Sequence, residues 1–310
     1  MPLSLIDSSD HIVLIAHTNP DADSLGSACA FFSHLLRLRK KVTLFCTSTE
    51  INPNLGFLPW FDKLTHRFPK DADCIVSFDC GSYKRLGIDT ALPLINIDHH
   101  ESNERYGTFN LVDTDAISTT EVVYDFFVAN GLTINAKMAL SLYAGVLEDS
   151  KCFRVPQCNA KTFALAHSLI TLGADHALCV EWLYRRRSLA SVRLRGALLK
   201  QMKLFLDGRV AVFEVSLALL EETGSGVIEC KSVLEDALQM RSVQAAMVHI
   251  ERPGGGMKIS LYTDDTLNAS KVMATIGGGG HRHRAGAYIK EARTRDFVGD
   301  LITTIQKEFE

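Results

Sequence analysis

The chain has 310 residues, 46% hydrophobic and 22% charged, an ordinary globular composition with ample material for a core. That length lies above the usual single-domain size, so two domains are expected. A net charge of −3 excludes bulk attraction to nucleic acid or membrane, so any polyanion must be met by a local patch.

The first residues, Met1-Pro2-Leu3-Ser4-Leu5, carry no basic segment and no long apolar run, so no signal peptide is expected. No stretch approaches the length of a membrane span, and no membrane partner is expected. Eight cysteines are scattered without a C-x-x-C pair, and Cys29, Cys46, Cys74 and Cys179 fall inside apolar segments. They read as small buried hydrophobes of a reduced, cytoplasmic protein rather than as a disulfide framework.

Residues 11–16 read as a buried parallel strand, continuous rather than alternating. Leu25, Ala28, Phe31, Phe32, Leu35 and Leu36 then recur at helical spacing across 24–39, with Asp23 or Ser24 as the N-cap. Strands follow at 42–46, 74–78 and 94–97, with a Pro- and aromatic-containing connection at 51–69. Alternating strands and helices predict an open α/β sheet whose ligands bind at the carboxyl ends of the strands. Ser118-Thr119-Thr120-Glu121 has capping-box spacing and opens a helix to about 129; simple capping is its expected role. Helices are predicted at 135–147, 160–172 with Asn159 as cap, 174–187 and 188–206. The arginines of the last two read as a solvated face. The pattern restarts near 208 with a strand at 210–215, a helix within 225–238 and a hairpin over 242–262 turning at Pro253–Gly256. A short helix at 268–276, a strand from 287 and a closing helix at 293–309 complete a second α/β domain.

Four of the apolar runs end in acids or histidines. Residues 12–16 lead into His17, Asp21 and Asp23; 74–78 into Asp79; 95–97 into Asp98-His99-His100; and 140–147 into Glu148-Asp149. Carboxylates gathered without a cation would repel one another and some would protonate. Divalent ions relieve this, and oxygen ligands with imidazoles suit Mn²⁺, Mg²⁺, Fe²⁺ or Co²⁺. Taken singly, Asp23 reads equally well as an N-cap, Asp98 as a turn residue and Asp149 as a helix end.

Read together, His17-x-x-Pro20-Asp21-x-Asp23-x-x-Gly26-Ser27, Asp79, Asp98-His99-His100 and Gly145-x-x-x-Asp149 resemble, in order and spacing, the four motifs of the DHH phosphoesterase family. Gly277–His281 followed by Ala285-Gly286 resembles the glycine-rich motif of that family's DHHA1 domain. The resemblance spans essentially the whole chain. It implies an α/β fold with an N-terminal DHH domain over 1–187, its mainly parallel sheet flanked by helices. A linker helix at 188–206 and a smaller C-terminal α/β DHHA1 domain at 207–310 follow, with the active site in the interdomain cleft. It also implies two divalent ions, manganese foremost. His17, Asp21 and Asp79 would hold one, and Asp23, Asp79, His99 and Asp149 the other, with Asp79 bridging. Asp98 would orient His99, and His100 would face the scissile phosphate.

Glycine backbone at Gly278, Gly279 and Gly280 can approach an anion closely, and His281, Arg282 and Arg284 add charge. The chain departs from the family pattern at Ser150-Lys151, where Thr-Gly is usual, and at Arg284, where a small residue is usual. Long exonucleases of the family and its membrane-bound cyclic-dinucleotide phosphodiesterases carry extra segments, and its manganese pyrophosphatases lack the Gly-Gly-Gly-His run. The resemblance therefore implies a short oligoribonuclease and 3′-phosphoadenosine 5′-phosphate (PAP) phosphatase acting on short oligonucleotides or nucleotide phosphoesters. Pyrophosphatase-like activity, a linear or cyclic dinucleotide phosphodiesterase and a non-catalytic nucleotide-binding protein stay open as alternatives. A homodimer is compatible with the sequence, which does not fix the oligomeric state.

Overall fold

The computed structural model describes residues 2–264, 266–280, 282–290 and 296–309. They divide into two units, Met1–Arg186 and Arg187–Glu310.

The first unit begins with α1 (Pro2–Ser8) and then β1 (His11–Ala16), whose six residues are all buried. A continuous apolar run is what a central parallel strand requires, because both of its faces are covered. Strands β2 (Lys41–Phe45), β3 (Leu64–Thr65), β4 (Cys74–Phe78), β5 (Leu94–Asp98) and β6 (Phe109–Val112) join it in the order β3-β2-β1-β4-β5-β6. All the pairings are parallel. The strand order runs outward in both directions from β1 and β4. That pair is the switch point, where sheets of this kind bind ligands beyond the carboxyl ends.

Helices α2 (Ala22–Arg37), α3 (Thr119–Ala129), α4 (Ala136–Asp149) and α5 (Ala160–Thr171) share one core with the sheet. Ile12, Leu14 and Ala16 meet Leu25, Phe31, Phe127, Leu142 and Leu165 there. Val13, Ile15 and Ile75 on the opposite face are covered by Phe68, Tyr83, Leu86 and Tyr106 from the connections.

In this unit an expected cap and an expected helix end move. The N-cap of α2 is Asp21, whose carboxylate accepts from the Ser24 N–H at 3.0 Å, not Asp23 or Ser24. Asp23 therefore falls inside the first turn and is released for other contacts. After α6 (His176–Val180) the chain makes a π-helical turn at Glu181–Arg185 instead of continuing as α-helix to 187.

In the second unit α7 (Leu189–Lys200) stops short of the predicted 206. Lys203–Phe205 forms β7, because Leu206, Asp207 and Gly208 take left-handed turn conformations that pair it with β8 (Val210–Val215). The unit continues through α8 (Leu217–Thr223), α9 (Ser232–Leu238), β9 (Ala245–Glu251), β10 (Met257–Thr263), α10 (Ala269–Ala274), β11 (Gly279–Gly280), β12 (Arg284–Ile289) and α11 (Phe297–Phe309). Its sheet runs β11-β12-β10-β9-β8-β7, with β8–β9 parallel and the other pairings antiparallel. Leu194, Leu198, Val233 and Leu234 fill one face, and Val272, Met273, Leu301 and Ile305 the other. Among the described residues no single helix is long and apolar enough to cross a membrane, although one bent helix pair, Ala160–Thr171 with His176–Arg185, passes that test by length and composition.

Helices α2 and α4 cross closely at Gly26, where an added Cβ would lie 2.3 Å from the Ser141 carbonyl oxygen. Backbone cannot yield there as a flexible side chain would. Gly26→Ala should therefore destabilise the protein by about 1–3 kcal/mol, read as a lower urea midpoint. Gly196→Ala on α7, where a Cβ meets nothing within 4 Å, should be neutral or stabilise by up to about 1 kcal/mol.

Candidate metal centre

His17 follows β1 and is almost fully buried. Its Nδ1 bonds the Thr18 carbonyl at 2.9 Å, leaving Nε2 3.1 Å from Asp79 Oδ2 and 3.8 Å from Asp21 Oδ1. Asp79 follows β4 at φ +56°, a left-handed position that Asp tolerates better than most residues. Its Oδ1 lies 3.6 Å from His99 Nε2 and 3.5 Å from His100 Nδ1. His99, just past β5, turns Nδ1 to the Ala116 carbonyl at 3.3 Å and Nε2 to Asp149 Oδ2 at 3.3 Å. Ligand atoms of His17, Asp21 and Asp79 lie within 4.8 Å of one another, as do those of Asp23, His99 and Asp149. Asp79, His99 and His100 form a third such group that links the two.

Asp23 is held by a segment that the sequence assigned to capping alone. Ser118 does cap α3, accepting from the Glu121 N–H at 3.2 Å. Yet the Thr119 N–H donates to Asp23 Oδ2 at 2.7 Å and the Thr120 N–H to Asp23 Oδ1 at 2.9 Å. The Thr119 hydroxyl donates to Asp79 Oδ1 at 3.1 Å. Gly145 on α4 completes the enclosure, since a Cβ there would sit 2.6 Å from Asp23 Oδ1 and 2.4 Å from Thr120 Cγ2. The sequence signal for this role was Thr119, a threonine whose hydroxyl the cap does not use.

Asp98 orients His100 rather than His99. Its Oδ1 accepts from His100 Nδ1 at 2.7 Å and from the His99 backbone N–H at 2.8 Å, and its Oδ2 accepts from Asn103 at 2.5 Å. Strand alternation puts the fully buried Asp98 on the face of β5 that carries Leu94 and Asn96, away from the helices that pack on Ile95 and Ile97. Burial works against the Asp98 charge, but the His100 hydrogen bond and charge outweigh it and hold the carboxyl below its ordinary value.

Burial raises the Asp23 carboxyl well above the carboxylate range, with the Asp149 and Asp79 charges adding to it. Burial also raises Asp79, with Asp21 adding and His17 opposing. Burial opposes charge on His99, yet the Asp149 hydrogen bond and the neighbouring acids push it up to about 11. The acids thus draw positive charge toward themselves. Both His17 and His99 fix Nδ1 on a backbone carbonyl and aim Nε2 at carboxylate oxygens, the arrangement that prepares an imidazole to bind a metal. The donor set fits hard divalent ions.

The DHH family N-terminal domain model matches residues 11–146, and the DHHA1 domain model matches residues 208–308. The chain belongs to the DHH family. It is a phosphoesterase. It is 27% identical over 308 residues to the bifunctional oligoribonuclease and PAP phosphatase NrnA of Bacillus subtilis, covering 97% of this chain and 96% of that one. Among solved structures, an exopolyphosphatase-related protein from Bacteroides fragilis matches with TM-score 0.89 at 20% identity, over 99% of this chain and 94% of that chain. A manganese-bound exonuclease RecJ matches with TM-score 0.53 at 14% identity, over 99% of this chain and 92% of that chain. These likenesses show the fold.

In the DHHA1 domain the glycine run is a structured edge rather than a loose loop: Gly279 and Gly280 pair with Gly286 and Ala285. Gly278 precedes that edge, its N–H donating to the Met273 carbonyl at 2.9 Å. The Arg282 carbonyl accepts from the Ala269 N–H at 2.7 Å. Arg284 lies 3.2 Å from Glu235 and 5.0 Å over the Tyr262 ring, which stands opposite it in the sheet. His281 lies outside the described residues.

Two neighbours of the DHH centre add to the sequence reading. Lys151 sits at φ +50°, where the family pattern has glycine; a side chain there costs about 1–2 kcal/mol. Its charge acts on Asp21 and Glu148. Glu148, which the sequence left without a role, accepts from the Ala22 N–H at 2.5 Å. Burial, then the Asp21 charge, push its carboxyl up to about 7. A carboxyl raised on folding stabilises the fold fully below its unfolded value of about 4.3, and that contribution is lost as pH rises through the folded value. In metal-free protein, thermal melts should show stability falling between about pH 4.5 and 7. Glu148→Gln, which keeps an acceptor for Ala22, should remove the part of that slope due to Glu148.

Proposed function

We propose that the protein hydrolyses short oligonucleotides, dinucleotides included, to mononucleotides, and also acts on PAP, in the cytoplasm and with two manganese ions. One observation carries the reading: two His/Asp ligand groups stand on either side of Asp79, which reaches into both. His17, Asp21 and Asp79 would hold one ion, and Asp23, His99 and Asp149 the other, with Asp79 shared. Ions bound there supply Lewis acidity and an attacking water acidified toward neutrality. Magnesium, cobalt or iron would meet the same donors.

The protein's own groups do the rest. Burial opposes charge on His100, but the Asp98 hydrogen bond outweighs it and raises the imidazole, favouring a cation beside the centre. His100 would bind the scissile phosphate and return a proton to the leaving oxygen, with Asp98 fixing its ring. Asp23 stays in place because both its oxygens are held by the α3 amides. In the DHHA1 domain the backbone of Gly278, Gly279 and Gly280, with His281, Arg282 and Arg284, would take substrate phosphate. The oligoribonuclease and PAP phosphatase activities named for the Bacillus subtilis relative support this substrate class. So does a net charge of −3, since a long strand usually calls for a basic groove.

A panel of RNA dinucleotides, PAP and pyrophosphate with Mn²⁺ tests the reading. Dinucleotides and PAP should be cleaved and pyrophosphate left intact; cleavage of neither of the first two would overturn it. His100→Ala should lower kcat about 10²- to 10⁴-fold while two Mn²⁺ still bind.

A further inference from the structure

Helix α3 presents more hydrogen-bond donors to the centre than its cap consumes. The Ser118 hydroxyl takes the Glu121 N–H, and the Glu121 carboxylate takes the Ile117 N–H at 2.8 Å. The Thr120 hydroxyl pairs with that of Ser118 at 2.8 Å. Thr119 stands apart. Its hydroxyl serves no part of the cap and reaches Asp79 Oδ1, while its N–H reaches Asp23 Oδ2. Thr119, Asp23 and Asp79 are all buried, so water does not compete freely for these bonds.

We propose that Thr119 is a positioning residue of the metal centre: its hydroxyl fixes the rotation of the Asp79 carboxylate while its amide fixes Asp23. One residue thereby sets the distance between the two ligand groups. The geometry makes the two contacts separable. The amide bond to Asp23 belongs to the helix backbone and survives any side chain at 119, whereas the bond to Asp79 belongs to the hydroxyl alone. Asp79 needs such a hold more than its neighbours do. It stands at a left-handed backbone position after β4, and its other close partner, His17 Nε2, is the atom that would turn to an ion. A carboxylate shared between two ions must keep both oxygens aimed, and a hydrogen bond from outside the ligand set does that without occupying a ligand position.

The inference rests on the two-ion reading above, and the experiment separates the two. Mn²⁺ titration by calorimetry on metal-free protein gives affinity and stoichiometry independently of turnover, and dinucleotide hydrolysis against Mn²⁺ concentration gives the functional readout. Thr119→Val, close in shape but without the hydroxyl, should keep the thermal transition near that of the parent. It should bind Mn²⁺ about 10- to 100-fold more weakly at one or both positions, as loss of a ligand-orienting partner does. Thr119→Ala should behave alike if Val is too tight to fold, and Thr119→Ser should restore affinity to within a few-fold. Parent-like Mn²⁺ binding by Val and Ala variants, or failure of Ser to restore it, would overturn the role of Thr119 and leave the two-ion reading intact. A parent protein that binds no Mn²⁺ would overturn both.

Discussion

Asp23 and Asp79 are buried beside Asp149, and carboxylates of like charge cannot be packed this way unless something offsets them. Much of the first unit's local structure can be understood as that offset. The N-terminus of α3 supplies two amides and the favourable end of a helix dipole to Asp23. Buried His17 and half-buried His99 lean on the same acids. Gly145 clears the space that lets Asp23 lie against α4, and Asp21 takes over the cap of α2 so that Asp23 is free to point inward. What remains uncompensated is the negative charge that a divalent ion is suited to meet.

Sheet order explains why residues so far apart in the chain meet. Adjacent strands lie about 4.8 Å apart, so the ends of β1, β4 and β5 set His17, Asp79 and His99 in a row roughly 10 Å long. Asp79 ends the middle strand of the three, which is why it touches both groups. Helices α2 and α4, crossing tightly at Gly26, bring Asp21, Asp23 and Asp149 to the same end. Asp98, last residue of β5, lies on the same strand face as Leu94 and Asn96 and accepts from His100 Nδ1. The three residues of Asp98-His99-His100 thus divide into an orienting acid, an imidazole aimed at Asp149 and an imidazole held by Asp98.

The DHHA1 domain solves a different problem. Its glycine run forms a strand against Ala285 and Gly286, so its backbone is ordered by the sheet edge. Arg284 is steadied by Glu235 and the Tyr262 ring.

The sequence by itself determined the longer strands and most helices of both units, because their apolar periods and caps are local signals; the short strands β3, β6, β7 and β11 carry no such signal. Strands 11–16, 74–78 and 210–215 and the Asn159 cap fall where the pattern puts them. It also determined which acids and histidines gather, since each ends an apolar run and the family spacing orders them. Tertiary structure alone decided the partners. Whether Asp98 serves His99 or His100 depends on which face of β5 its side chain occupies. Whether Ser118–Glu121 merely caps a helix depends on what lies in front of that helix. The roles of Thr119, Gly145 and Glu148 arise between segments 25 to 126 positions apart, and no local pattern of residues records a contact made across that distance.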